Sequence, residues 1–201
     1  MNLIKNDTIG EMWLQTDMAF NQLYPLPIQN LSARHWTPLH VARRAAIFLT
    51  AKGNSTILDI GSGVGKFCLA AACIRPQSVF IGVEQRKNLV EHAELVKDRL
   101  HINNALFIHG NFTQVDFRDY DHFYFYNSFY ENLTESDTID DTIEYSTELF
   151  IYYNRFLCRQ LEKKPKGTRL VTFHSLEEEV PSSFRVVGAE MENLLKYWVK
   201  T

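Results

Sequence analysis

The stretch Thr56-Ile57-Leu58-Asp59-Ile60-Gly61-Ser62-Gly63-Val64-Gly65-Lys66-Phe67 passes from a short β-branched, apolar run into three glycines spaced one residue apart. A helical, apolar segment, Lys66 to Ile74, follows and is broken by Pro76. Strand, glycine bend and helix in that order bring backbone close to a ligand at the end of a strand. Neither common phosphate-binding pattern is met. A P-loop needs glycine at Ile60 and Ser or Thr at Phe67, and the dinucleotide pattern needs glycine at Lys66.

Outward from this bend the pattern keeps alternating. Ser78 to Val83, Ala105 to His109, His122 to Asn127 and Thr168 to His174 read as strands. Lys87 to Leu100 and Thr147 to Leu161 read as helices, the first with Leu89, Val90, Ala93, Val96 and Leu100 on a 3.6-residue period. Phe184 to Glu190 and Leu194 to Lys200 read as a closing antiparallel hairpin. The expected fold class is α/β, a mostly parallel doubly wound sheet of about seven strands with helices on both faces. Ser175 to Ser183 is too short for a crossover with its own helix, so the last helix of such a fold is expected to be missing or reduced to one turn. Residues 1–53 read as a helical N-terminal extension or lid, and 54–201 as the sheet domain, one compact domain overall. In the extension, Thr8 to Tyr24 reads as one amphipathic helix with a Thr8/Glu11 capping box, ended by Pro25 and Pro27. A second helix is expected from Thr37-Pro38, with Thr37 as N-cap, to about Gly53.

Composition restricts the function classes. The 201 residues are 45% hydrophobic and 22% charged, with net charge −3, so nucleic acid is the less expected partner. No apolar run reaches membrane-spanning length, and the first residues lack the apolar core of a signal peptide, so the cytoplasm is the expected compartment. Cys68, Cys73 and Cys158 have no zinc-type spacing; buried reduced thiols and no metal are expected. Glu131 to Glu148 carries seven acids and no Lys or Arg. It reads as a solvated acidic segment, or as a docking surface for a basic protein.

The run Asp59-x-Gly61-x-Gly63-x-Gly65 resembles the first motif of class I (Rossmann-like) S-adenosylmethionine-dependent methyltransferases. The resemblance covers roughly Thr56 to His174 and implies S-adenosyl-L-methionine as cofactor, S-adenosyl-L-homocysteine as product, and strand order 3-2-1-4-5-7-6. It implies that Asp59 holds the methionine ammonium beside Gly61, Ser62, Gly63 and Gly65. Glu84, next to Gln85, would accept from the ribose hydroxyls. Asn111 would accept from the adenine amino group, with Phe112 on the adenine face. Thr37 is expected to reach the cofactor carboxylate.

The acceptor end falls at Tyr124-Phe125-Tyr126-Asn127-Ser128-Phe129-Tyr130. Asn127 and Tyr130 match part of the Asn-Pro-Pro-Tyr of amino-methylating enzymes. A weaker similarity is to the non-SET histone-lysine methyltransferases, carried by Asp59 to Gly65, Gly82-Val83-Glu84 and Asn127-Ser128-Phe129. Asn127 is expected to border the cofactor and aim the acceptor nitrogen. Phe129 and Tyr130 would wall the site, and His174 would accept a proton. His35, Trp36, His40, Arg43 and Arg44 are further candidates from the lid. The expected function is methylation of nitrogen on a protein or other macromolecule. The alternatives are a small-molecule methyltransferase and a non-catalytic binding protein of the same fold.

Overall fold

A computed structural model describes residues 12–133, 139–175 and 177–201. Seven strands form a single sheet: β1 (Thr56–Ile60), β2 (Val79–Glu84), β3 (Ala105–His109), β4 (His122–Tyr126), β5 (Arg169–Phe173), β6 (Phe184–Glu190) and β7 (Leu195–Lys200). Their order is β3-β2-β1-β4-β5-β7-β6. The first five pair in parallel; β7 runs antiparallel to both β5 and β6. Among the described residues between β5 and β6 stands a single 3-10 turn, Glu177–Glu179, and no α-helix.

Side chains alternate across the sheet with period two. Phe80, Tyr124 and Val171 enter one core, while Ile81, Phe123, Phe125 and Leu170 enter the other. Helices cover both faces. α4 (Leu39–Leu49), α5 (Lys66–Ile74) and α6 (Lys87–Arg99) contribute to the first core, and α7 (Thr147–Glu162) lies on the second. Burying one such phenylalanine stabilises the fold by roughly 1.5–3 kcal/mol. Each face is therefore anchored many times over.

The extension differs from the expected pair of long helices. The elements bounded within the described residues are three short helices, α1 (Asp17–Asn21), α2 (Leu26–Gln29) and α3 (Ser32–His35), ahead of α4. Thr16 caps α1, its Oγ1 accepting from Ala19 N at 3.1 Å; the Thr8/Glu11 capping box lies outside the described residues. Pro25 ends the first run but, with its fixed φ, also starts α2 as N-cap. Thr37 is not the cap of α4, which starts after Pro38 and ends at Leu49, short of Gly53. Its Oγ1 shares a hydrogen bond with Tyr124 Oη at 3.0 Å, and Asp17 Oδ1 accepts from Leu39 N at 3.0 Å instead. A carboxylate supplied from another helix suits the positive end of α4 better than a hydroxyl. Of the cysteines, Cys68 is buried, Cys158 is half-buried, and Cys73 is exposed, contrary to the expectation of three buried thiols.

No described helix is long and apolar enough to cross a membrane.

Candidate functional site

The carboxyl ends of β1, β2, β4 and β5 open on a cavity of about 450 Å³. A recess of about 20 Å³ adjoins the same glycine loop. The loop takes its shape from positive φ at Gly61 (74°), Gly63 (54°) and Gly65 (79°). A Cβ on Gly61 would overlap the Ser128 side chain, and one on Gly65 would overlap the Phe107 ring; beside Gly63 there is open space. Two glycines are therefore required by packing, and the middle one leaves backbone bare toward the cavity.

Asp59 forms part of the recess wall, with Thr37, Ser62, Lys66 and Tyr126. Its carboxylate is buried and receives the Cys68 Sγ–H at 3.5 Å; no Lys, Arg or His among the described residues forms an ion pair with it. Burial pushes its pKa from 3.8 up to about 8, a rise that the Cys68 contact opposes and Glu84 reinforces. Ser62 Oγ is likewise buried without a hydrogen-bond partner among the described residues. Unsatisfied buried polar atoms at a cavity wall are where a polar ligand regains lost hydrogen bonds.

Glu84 ends β2 with little exposure. Its Oε2 accepts from Gly63 N at 3.1 Å and its Oε1 from Arg86 N at 2.9 Å, which ties the acid to the glycine loop. Burial raises its pKa, against the hydrogen bonds and the Arg86 charge. Phe112 stacks on Phe129 with centroids 4.9 Å apart and rings 25° from parallel. Both are buried in the second core and also border the cavity, so the Phe129 ring serves the wall shared with Phe112. Asn111 has a different task from the one expected of it. Its Oδ1 accepts from Thr113 N and Thr113 Oγ1, and its Nδ2 donates to Gln85 Oε1 and Tyr153 Oη. With two lone pairs committed, that oxygen has none left for an adenine amino group.

At the other end, Asn127 (φ 38°) and His174 (φ 55°) follow β4 and β5, neighbouring strands, and both border the cavity. Left-handed backbone on non-glycine residues costs about 1–2 kcal/mol each, and two on adjacent strand ends mark an over-determined local structure. Ser128 Oγ donates to Ile60 O at 2.7 Å, locking the turn after β4 onto β1. Tyr126 Oη donates to Arg34 O at 3.0 Å and its ring lies 5.7 Å from His174. Burial lowers the His174 pKa, so its ring is neutral at pH 7.

The structure thus brings Gly61, Gly63, Glu84, Gln85, Phe112, Asn127, Phe129, Tyr130 and His174 to the large cavity and Thr37, Asp59 and Ser62 to the recess. Gly65 and Asn111 line neither and act from behind the wall. His35 and Trp36 of the lid line both spaces, whereas His40, Arg43 and Arg44 line neither. Lys66, which in sequence only marks the failure of the P-loop pattern, has its Nζ buried against Asp17 Oδ1 at 2.5 Å and Asn21 Oδ1 at 3.2 Å, which fastens the extension over the recess. Arg86 and Tyr145 were also missed. The available signal was an acidic run free of Lys and Arg, which implied a cation elsewhere in the chain.

A family model described as a methyltransferase domain matches residues 51–198. A curated relative, a tRNA (guanine-N(7)-)-methyltransferase of Synechococcus sp., is 44% identical over 59 residues, 29% of this chain and 25% of that protein. Another of the same description, from Microcystis aeruginosa, is 43% identical over 54 residues, 27% of this chain and 26% of that protein. The match spans about a quarter of the length of these relatives. Two solved structures share the fold. An RNA methyltransferase from Salinibacter ruber in complex with S-adenosyl-L-homocysteine gives a TM-score of 0.55 at 18% identity, covering 82% of this chain and 92% of that one. TrmN from Thermus thermophilus gives 0.57 at 18% identity, over 86% and 51%.

Proposed function

Because the chain belongs to the methyltransferase-domain family, we propose that it is an S-adenosylmethionine-dependent methyltransferase acting on a nitrogen of a macromolecule. The observation that carries this reading is Asp59, a buried carboxylate with no ion-pair partner among the described residues, on the wall of a recess beside a glycine bend and Glu84. That arrangement fits a ligand whose one end is an ammonium and whose other end is a ribose.

When bound, the cofactor would supply an activated methyl group, whose bond to the sulfonium sulfur breaks, releasing the neutral thioether, as an acceptor lone pair forms the new bond in line. The chain's own residues bind, orient and exclude water. Asp59 receives the ammonium and Glu84 the ribose hydroxyls, on lone pairs that Gly63 and Arg86 leave open. Phe112, backed by Phe129, forms the apolar wall for the base. Asn127 accepts an N–H of the acceptor through its side-chain or backbone carbonyl and so aims the nitrogen lone pair; Tyr130 walls the same space. Such alignment is worth about 7–11 kcal/mol of barrier. His174, neutral at pH 7, accepts the proton that an amine acceptor sheds. A ring nitrogen with a free lone pair needs no such step.

A nucleic-acid base is the acceptor class supported by the curated relatives, which methylate guanine N7 of tRNA. A second reading, a basic protein, is favoured by Glu131 and Glu144 on the cavity wall, within a run from Glu131 to Glu148 that has seven acids and no Lys or Arg, since this charge repels polyanions. Calorimetric titration with S-adenosyl-L-homocysteine tests the cofactor; absence of binding would defeat the proposal. Incubation with labelled methyl donor and a host lysate, followed by separation of RNA, protein and small molecules, tests the acceptor. Label in RNA is expected, label in protein selects the second reading, and label in small molecules alone removes both.

A further inference from the structure

Arg86 lies two residues beyond Glu84 and is more deeply buried than a surface arginine has reason to be, its side chain 3% exposed. Three carboxylates and a phenol surround it. Its Nη1 lies 3.5 Å from Glu84 Oε1 and its Nε 3.3 Å from Asp140 Oδ1. Its Nη2 lies 2.5 Å from Glu131 Oε2 and 2.6 Å from Tyr145 Oη. Glu131, Asp140 and Tyr145, all beyond β4, meet on this cation. Glu131 Oε2 also accepts from Ile139 N, Asp140 Oδ1 from Thr142 N and Oγ1, and Tyr145 Oη donates to Asp140 O at 2.6 Å. Glu131, Tyr145, Ile139 and Ile143 border the same cavity as Glu84. Burying a guanidinium costs several kcal/mol unless it is fully paired, and three buried or half-buried carboxylates this close together are relieved of mutual repulsion by the cation between them.

We propose that Arg86 is the positioning residue for the nucleoside half of the site. It orients the Glu84 carboxylate and gathers Glu131, Asp140 and Tyr145 into the cavity's roof. The inference rests on the methyl-donor reading above. Without Arg86, three carboxylates face one another, the roof lifts, and the Glu84 carboxylate turns away from the position set by two donors.

The test is titration of the full chain with S-adenosyl-L-homocysteine and with 5′-methylthioadenosine, which keeps the nucleoside half and lacks the amino acid. Arg86→Gln is expected to weaken both ligands by the same factor, about ten- to a hundredfold, the usual effect of removing a group that orients a ligating residue. Arg86→Lys restores the charge but not the fork and recovers only part. Glu131→Gln added to Arg86→Gln costs little more than Arg86→Gln alone, because the two act as one unit. Tyr145→Phe removes a single hydroxyl, leaves a folded chain if Arg86→Gln does not, and weakens both ligands in the same ratio. The inference is overturned if wild type binds while Arg86→Gln and Tyr145→Phe bind within about twofold of it, or if only the larger ligand is affected, with a tenfold change corresponding to 1.4 kcal/mol. Failure of wild type to bind either ligand removes the methyl-donor reading itself, and this inference with it.

Discussion

Replacing Asp59 by asparagine swaps a buried acid for a neutral group of the same shape. In the unfolded chain this carboxyl titrates near 3.8; in the fold, burial carries it to about 8. Between those values the folded chain holds a proton that the unfolded chain has released, so Asp59 makes stability fall as pH rises from about 4 to about 8. Below the unfolded value both states are protonated and the effect vanishes; above the folded value it is complete. The difference between 3.8 and about 8 is about four units, and at 1.36 kcal/mol per unit the full penalty is about 5 kcal/mol. Asp59→Asn is therefore expected to unfold at higher denaturant concentration than wild type at pH 9, with a gap that shrinks toward pH 5. The assay is urea unfolding of both proteins at pH 5, 7 and 9, with unchanged slope against denaturant as the control. The same variant should lose S-adenosyl-L-homocysteine binding, and wild type should release about one proton on binding at pH 7, measured by calorimetry in two buffers of different ionisation enthalpy. Parallel stability curves across this pH range would refute the reasoning, whatever happens to binding.

Other outcomes follow from the loop and the acceptor end. Gly61→Ala places a Cβ into Ser128 at a φ of 74°; it should cost about 1–2 kcal/mol from the backbone alone, and more from the overlap, which Ser128→Gly relieves in chemical denaturation. Asn127→Ala is expected to lower turnover about a hundredfold with cofactor affinity unchanged, read from kcat beside a direct titration; equal turnover would take the Asn127 side chain out of the mechanism. With an amine acceptor, activity should decline as pH falls below the ordinary histidine range, because His174 then holds a proton. His174→Asn should flatten that limb of the pH–rate profile.

The strand-and-helix alternation and the three strand-end motifs were legible because they are local: apolar period, glycine spacing and an acid at a strand end are written within a dozen residues. The order of the sheet came from resemblance. What could not be read is what distant residues decide. Thr37 has the spacing of a cap, yet Asp17 takes that place and Tyr124 takes the hydroxyl. Asn111 has the place of an adenine acceptor, yet Thr113 saturates its oxygen. In the acidic run from Glu131, Asp141, Glu144 and Glu148 are exposed as a solvated face requires, but Glu131 and Asp140 meet Arg86, which lies 45 residues upstream of Glu131 and is beyond the reach of any local pattern.

The three tryptophans divide the molecule optically. Trp13 and Trp36 belong to the extension, 5% exposed each, and Trp198 to the terminal hairpin, where its indole N–H donates to Thr172 Oγ1 at 2.9 Å. Trp36 borders both hollows and lies 5.6 Å from the Lys66 ammonium. Native emission therefore carries a signal from the entrance that Trp198, on the far rim, does not share. An unlabelled chain reports on its own doorway, with the hairpin indole as internal standard.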